Sequence, residues 1–115
     1  MIDFACKQFK LDEVVKCGLG MTKADMVVFK FLVANLTEEF TTEELSKKLG
    51  LNLTTIQRAV KKLHEAEVLH RTQKNLEGGG YLFYYHSKGK KKIKEIVMSI
   101  ISKWVGKVDE EFLNW

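Results

Sequence analysis

Residues 41–74, TTEELSKKLGLNLTTIQRAVKKLHEAEVLHRTQK, decide how this chain folds. Thr41 is followed three residues later by Glu44. At that spacing the hydroxyl accepts from an early helical amide and the carboxylate reaches back to the cap amide, so a helix begins near Thr42. Leu45 and Leu49 lie on its inner face, Glu43, Glu44, Lys47 and Lys48 point outward, and Gly50 supplies the left-handed backbone that ends it. Only Leu51 separates this stop from Asn52, which caps a second helix. Ile56, Val60 and Leu63 recur there at intervals of four and three, with Ala59 and Ala66 as small neighbours. The opposite face carries Thr54, Thr55, Gln57, Arg58, Lys61 and Lys62, with no acidic residue before Glu65.

On a lone amphipathic helix such a face is only a solvated surface. Here it follows a short helix and a tight turn, which is the helix-turn-helix arrangement, and it runs into an extended segment. Hydroxyls, an amide and cations are what base edges and flanking phosphates require, so the helix at about residues 53–67 is expected to enter the major groove of DNA. At Val68 the periodicity changes. VLHRTQ (68–73) reads as a strand, NLEGGG (75–80) as a turn with a permissive tip, and YLFYYH (81–86) as an aromatic-rich strand. A ribbon over about 68–86 after a recognition helix is a wing, with Arg71 and Lys74 available to phosphate backbone, and Leu69, Leu82 and Tyr84 are expected to pack inward. The glycine run lacks the spacing of a nucleotide-binding loop.

Charge is distributed in the same sense. Residues 54–94 hold ten Lys/Arg against Glu65, Glu67 and Glu77, a local net of +7 in a chain whose total is +4, which leaves −3 for the rest. The positive field therefore surrounds the second helix, the wing and the lysines that follow, including Lys90. A length of 115 residues suits one domain with a modest core. No run of eighteen apolar residues is present and charges interrupt the N-terminus, so the expected location is cytoplasmic, with no membrane contact.

Upstream, Leu11 to Cys17 reads as a short helix broken by Gly18-Leu19-Gly20, and Thr22 or Asp25 opens the next. KADMVVFKFLVA (23–34) is apolar almost all round, as a buried supporting helix should be. Phe40 can start a short strand beside the wing. Downstream, residues 90–114 read as one helix on the order of 35 Å long at 1.5 Å per residue. Its stripe of Ile93, Val97, Ile100, Trp104, Val108 and Phe112 exceeds what so small a domain covers, and a second protomer is the expected partner. Gly106 interrupts the seam, so it is not a strict coiled coil. The fold class is thus mainly α with a small β-wing (α+β), divided into a winged helix-turn-helix at 1–89 and a C-terminal dimerisation helix at 90–115.

The stretches GMTKADMVVFKFLV and FTTEELSKKLGLNLTTIQRAVKKLHEAEVLHRTQ, the glycine-containing wing and YLFYYH resemble the winged-helix regulators of archaea related to the TrmB and MarR groups. The resemblance covers about residues 18–88. It implies a dimeric transcription factor bound to double-stranded DNA, with Thr54, Thr55, Gln57, Arg58 and Lys61 on the exposed recognition helix and Arg71 and Lys74 in the wing. TrmB proteins often carry a large sugar-binding domain after the winged helix, which has no counterpart here. MarR proteins often hold effectors between the dimerisation helices and the winged domain, so a small-molecule effector of unknown identity is compatible with this chain.

Other chemistries find little support. On one continuous helix Cys6 and Cys17 would stand about 16 Å apart by helical rise, too far for a disulfide. They read as inert packed thiols, with redox sensing through a bend or a second subunit as the alternative. His64, His70 and His86 lack metal-ligand spacing, no nucleophile, base and orienter can be paired, and no cofactor is expected. Two functions remain: sequence-specific transcriptional regulation, and a winged helix serving as a protein-interaction module within a transcription or replication assembly. The acid-poor face of the second helix favours the first.

Overall fold

The computed structural model describes residues 1–115 as five helices and two small antiparallel sheets. The order is β1 (Ile2–Phe4), β2 (Lys7–Phe9), α1 (Leu11–Gly18), α2 (Lys23–Ala34), α3 (Thr42–Leu49), α4 (Leu53–Glu65), β3 (Leu69–Asn75), β4 (Tyr81–Ser87) and α5 (Lys90–Phe112). No helix is long and apolar enough to cross a membrane.

Local chemistry sets most of these boundaries. Both α2 and α3 open on capping boxes, Thr22 with Asp25 and Thr41 with Glu44. Gly50 ends α3 at φ 65°, a conformation that a side chain would strain, and the Ser46 hydroxyl donates to the Leu51 carbonyl at 2.6 Å across the turn. The Asn52 side chain then accepts from the Thr54 and Thr55 amides at 3.1 and 3.3 Å and opens α4. That helix stops at Glu65, two residues short of the expected 67. Glu67 adopts φ 66°, which turns the chain sharply into β3.

The core lies where α2, α3, α4 and the root of the wing meet. Val28, Leu32, Leu45, Ile56, Ala59, Leu63 and Val68 are fully buried, with Phe29, Val60 and Leu69 nearly so. In α2 the apolar residues face two ways: Met26, Val28, Phe29 and Leu32 enter this core, whereas Val27 is exposed. Phe40 bridges to Tyr85, with reciprocal amide-to-carbonyl bonds of 2.9 and 2.8 Å, and so adds one residue to the β3–β4 ribbon.

Three expectations are corrected. In β4 the inward residues are Phe83, Tyr85 and Ser87 rather than Leu82 and Tyr84, because Leu69 pairs with Ser87 and Arg71 with Tyr85, which places the odd-numbered side chains on the core face. Cys6 sits in the β1–β2 turn and Cys17 on α1, and both thiols are free and exposed rather than packed. Finally, the apolar stripe of α5 divides. Val97 is buried by its own protomer, Ile93 and Ile96 pack on the core, and Ile100 faces α1, where a side chain added at Gly18 would meet its methyl at 3.9 Å. Beyond it Trp104, Val105, Val108 and Phe112 stand exposed along the free half of the helix, which draws the protein out to 63 × 25 × 24 Å.

Replacing Leu63 by Ala should lower unfolding free energy in urea by about 2–5 kcal/mol, whereas Leu82→Ala should cost less than about 1 kcal/mol. Comparable losses at the two sites would contradict the ribbon register.

Candidate nucleic-acid interface

With Ile56, Ala59, Val60 and Leu63 committed to the core, helical geometry turns Thr54, Gln57, Arg58 and Lys61 to solvent on one connected face. The amide of Gln57 and the guanidinium of Arg58 match purine edges, and neither Arg58 nor Lys61 is held in an ion pair. Thr55 is half-buried on the side facing α2.

Lys62 is placed differently from what its sequence position suggested. Its ammonium lies 2.9 Å from the Asp25 carboxylate, whose side chain is only 6% exposed, and donates to the Gly20 carbonyl at 3.4 Å. Asp25 also accepts from the Thr22 amide at 2.9 Å, while its own amide donates to the Thr22 hydroxyl at 3.1 Å. Burial pushes this carboxyl up, but the bonds from Thr22 and the ammonium of Lys62 outweigh it and hold Asp25 below its ordinary 3.8. Thr22, Asp25, Thr55, Arg58, Lys61 and Lys62 line the shallow cleft between the start of α2 and α4.

The wing cations are engaged as well. Arg71 lies on the core-side face of the ribbon, its guanidinium 4.4 Å from the centre of the Phe83 ring. Lys74, expected to be free for phosphate, is bonded to Glu39 and lies 4.4 Å over the Tyr84 ring; that bond keeps its ammonium above its ordinary value. The distal turn carries exposed Leu76 and Tyr81, the single carboxylate Glu77 and three glycines with positive φ, but no cation. At the root of the ribbon His70 and His86 stack with centroids 4.8 Å apart, and burial, then the neighbouring His86 and Lys88, hold His70 below its ordinary value. The pairing His70↔His86 places them opposite each other, which a chain-order search for ligand spacing could not reveal. Lys90, Lys91, Lys92 and Lys94 are exposed in the first two turns of α5.

A three-helix core with a tight turn before an exposed polar helix, followed by a two-stranded ribbon, is a winged helix. The family model of the DnaD N-terminal domain matches residues 9–108, and the chain belongs to that family. It is 45% identical to a solved protein of Methanosarcina mazei Go1 described as a "possible transcriptional regulator", with a TM-score of 0.91 over 100% of this chain and 96% of that one. A mutant of S. aureus MepR bound to an oligodeoxyribonucleotide shares the fold at 14% identity and a TM-score of 0.56, over 87% of this chain and 72% of that one. An uncharacterised protein of Methanocaldococcus jannaschii, MJ1503, is 24% identical over 99 residues, covering 86% of this chain and 74% of its own.

Since the folded state depresses Asp25, the stability it contributes is complete above 3.8 and is lost as pH falls through and below that value. The acid limb of the wild-type stability profile should therefore be steeper below that pH than the limb of Asp25→Asn, measured by urea unfolding at successive pH values. Parallel limbs would mean that the carboxylate gains nothing from its partners.

Proposed function

We propose that this protein is a DNA-binding transcriptional regulator that places α4 in the major groove as a homodimer. The observation that carries this reading is the exposed face of α4, where Thr54, Gln57, Arg58 and Lys61 stand together, acid-free, on a helix whose other face is fixed in the core. A 45% identical relative described as a possible transcriptional regulator supports it, as does the DNA-bound state of a MepR mutant that shares the fold. Within the winged helices, the long C-terminal helix agrees with kinship to the MarR and TrmB groups. Thr54, Gln57, Arg58 and Lys61 are the proposed DNA contacts of α4, Thr55 lies at their margin, and Arg71 is the proposed contact of the wing; Lys90 at the start of α5 lies beside residues 33–38 at the end of α2. Lys74 reaches phosphate only by leaving Glu39.

For the dimer, the proposed surface is the distal half of α5. Trp104 is 58% exposed and Phe112 62%, and with Val105 and Val108 they form an apolar strip that the chain itself leaves uncovered. Ile93, Val97 and Ile100 belong to the junction with the winged domain rather than to that strip. One feature favours a second reading, an interaction module: the wing turn exposes Leu76 and Tyr81 and lacks the cations that phosphate would attract.

A gel shift against the protein's own upstream region is the direct test. Gln57→Ala or Arg58→Ala should weaken the preferred site by about 1–3 kcal/mol with little loss on random duplex, while Lys61→Ala should flatten the slope of log affinity against log salt by roughly 0.9. Absence of binding by the wild type would transfer the weight to the interaction module. Separately, the double substitution Trp104→Lys with Phe112→Lys should yield a folded monomer by light scattering and circular dichroism. A dimer that survives both changes would place the interface elsewhere.

A further inference from the structure

Two capping boxes in this chain allow an internal comparison. Glu44 caps α3 through the Thr41 amide at 3.1 Å, and its side chain is solvent-exposed with no cation attached. Asp25 performs the same service for α2, yet it is buried and carries Lys62 of α4 on the same oxygen that accepts from the Thr22 amide. Capping therefore requires neither the burial nor the ammonium. A buried carboxylate left without a cation is costly, so the pair, once formed, resists any displacement of α4 that would separate it. Its location gives that resistance a direction. Ala59, fully buried one turn earlier, lets α4 approach α2 closely, and Lys62 lies beyond it at the edge between the core face and the exposed face. The same ammonium reaches the Gly20 carbonyl, so the α1–α2 turn, the start of α2 and the middle of α4 are held by one group.

We propose that the Asp25–Lys62 pair is a positioning device for the recognition helix: it fixes how α4 is rotated and seated on α2, and Lys62 is not one of the cations that hold phosphate. This rests on α4 being the helix that reads DNA. Base readout tolerates displacements of only about 0.5 Å, so a loosened α4 loses discrimination before it loses general attraction to DNA. Lys62 presents an ammonium already neutralised by Asp25, whereas Arg58 and Lys61 beside it are unpaired and remain the phosphate and base contacts.

The test uses the full chain and two duplexes, the protein's own upstream region and a random sequence of equal length, followed by fluorescence anisotropy across a salt series. Lys62→Met should lose about tenfold in preference for the upstream duplex, the scale of one mismatched base pair, with an unchanged salt slope. Lys62→Arg should restore the preference, because a guanidinium can still reach Asp25. Asp25→Asn should also lower the preference, although on charge alone the loss of a carboxylate near DNA would strengthen binding to both duplexes. Melting curves accompany each variant, and if Asp25→Asn fails to fold, the two Lys62 variants decide the matter because they leave the capping box intact. A salt slope lower by roughly 0.9 in Lys62→Met, with equal weakening on both duplexes, would make Lys62 a phosphate contact and overturn the proposal. So would an Asp25→Asn protein that binds both duplexes more tightly with its preference intact. If the wild type binds neither duplex, the DNA reading itself falls and takes this one with it.

Discussion

The burial of one ridge of α4, Ile56, Ala59, Val60 and Leu63, against α2 and α3 is the constraint on which the rest of this structure depends. An amphipathic helix of thirteen residues has little stability alone in water and takes its order from the apolar face it buries. Once that face is fixed, helical periodicity leaves no freedom about which residues point outward. The exposed polar face of α4 is thus a by-product of the core, and the accuracy of its placement is the accuracy with which the core is packed. The paired capping boxes serve the same end, since they set where α2 and α3 begin and hence which of their residues meet the ridge.

Electrostatics refine the surface that packing produces. The basic excess around α4 and the wing attracts a polyanion in aggregate, but its members are not equivalent. Lys62 is drawn to the buried Asp25, Lys74 lies against Glu39 and Tyr84, and Arg71 spreads over Phe83, so three of the cations near α4 and the wing are engaged within the domain itself. Exposed ion pairs such as Lys74–Glu39 contribute little to stability and can exchange partners with a phosphate at low cost. The Lys62–Asp25 pair exchanges less readily, because separation would leave the nearly buried Asp25 carboxylate without its cation. The distinction between these two lysines is therefore one of environment, not of residue type.

The helix α5 joins two functions in one element. Its first half completes the winged domain, with Val97 buried and Ile93 and Ile96 against the core, and its second half projects with aromatic side chains in solvent. A continuous helix across that junction is stiff, so an association at the distal end would be transmitted to the spacing of two winged domains. The β1–β2 hairpin, also largely exposed, is too small to be stable by itself in water.

The sequence by itself determined the elements whose signals are local. Thr41 with Glu44, Gly50 and Asn52 mark the helix boundaries by hydrogen bonds within four residues, and the spacing of Ile56, Val60 and Leu63 sorts α4 into an inner and an outer face, so Thr54, Gln57, Arg58 and Lys61 were legible as an exposed set. Only the tertiary structure decided the rest, because it depends on partners distant in the chain. That Lys62 meets Asp25, that Lys74 meets Glu39, and that His70 stacks on His86 follow from how α2, α4 and the ribbon dock, and no spacing within one segment encodes those pairs. The inner face of β4 is not legible in the sequence for a related reason. YLFYYH has apolar side chains at nearly every position, so alternation carries no information there, and the pairing of Leu69 with Ser87 and of Phe40 with Tyr85 selects the face. The stripe of α5 was visible as a stripe, but periodicity cannot say where the protomer's own core ends, since an apolar side chain has the same spacing whether it is covered by its own chain or by another.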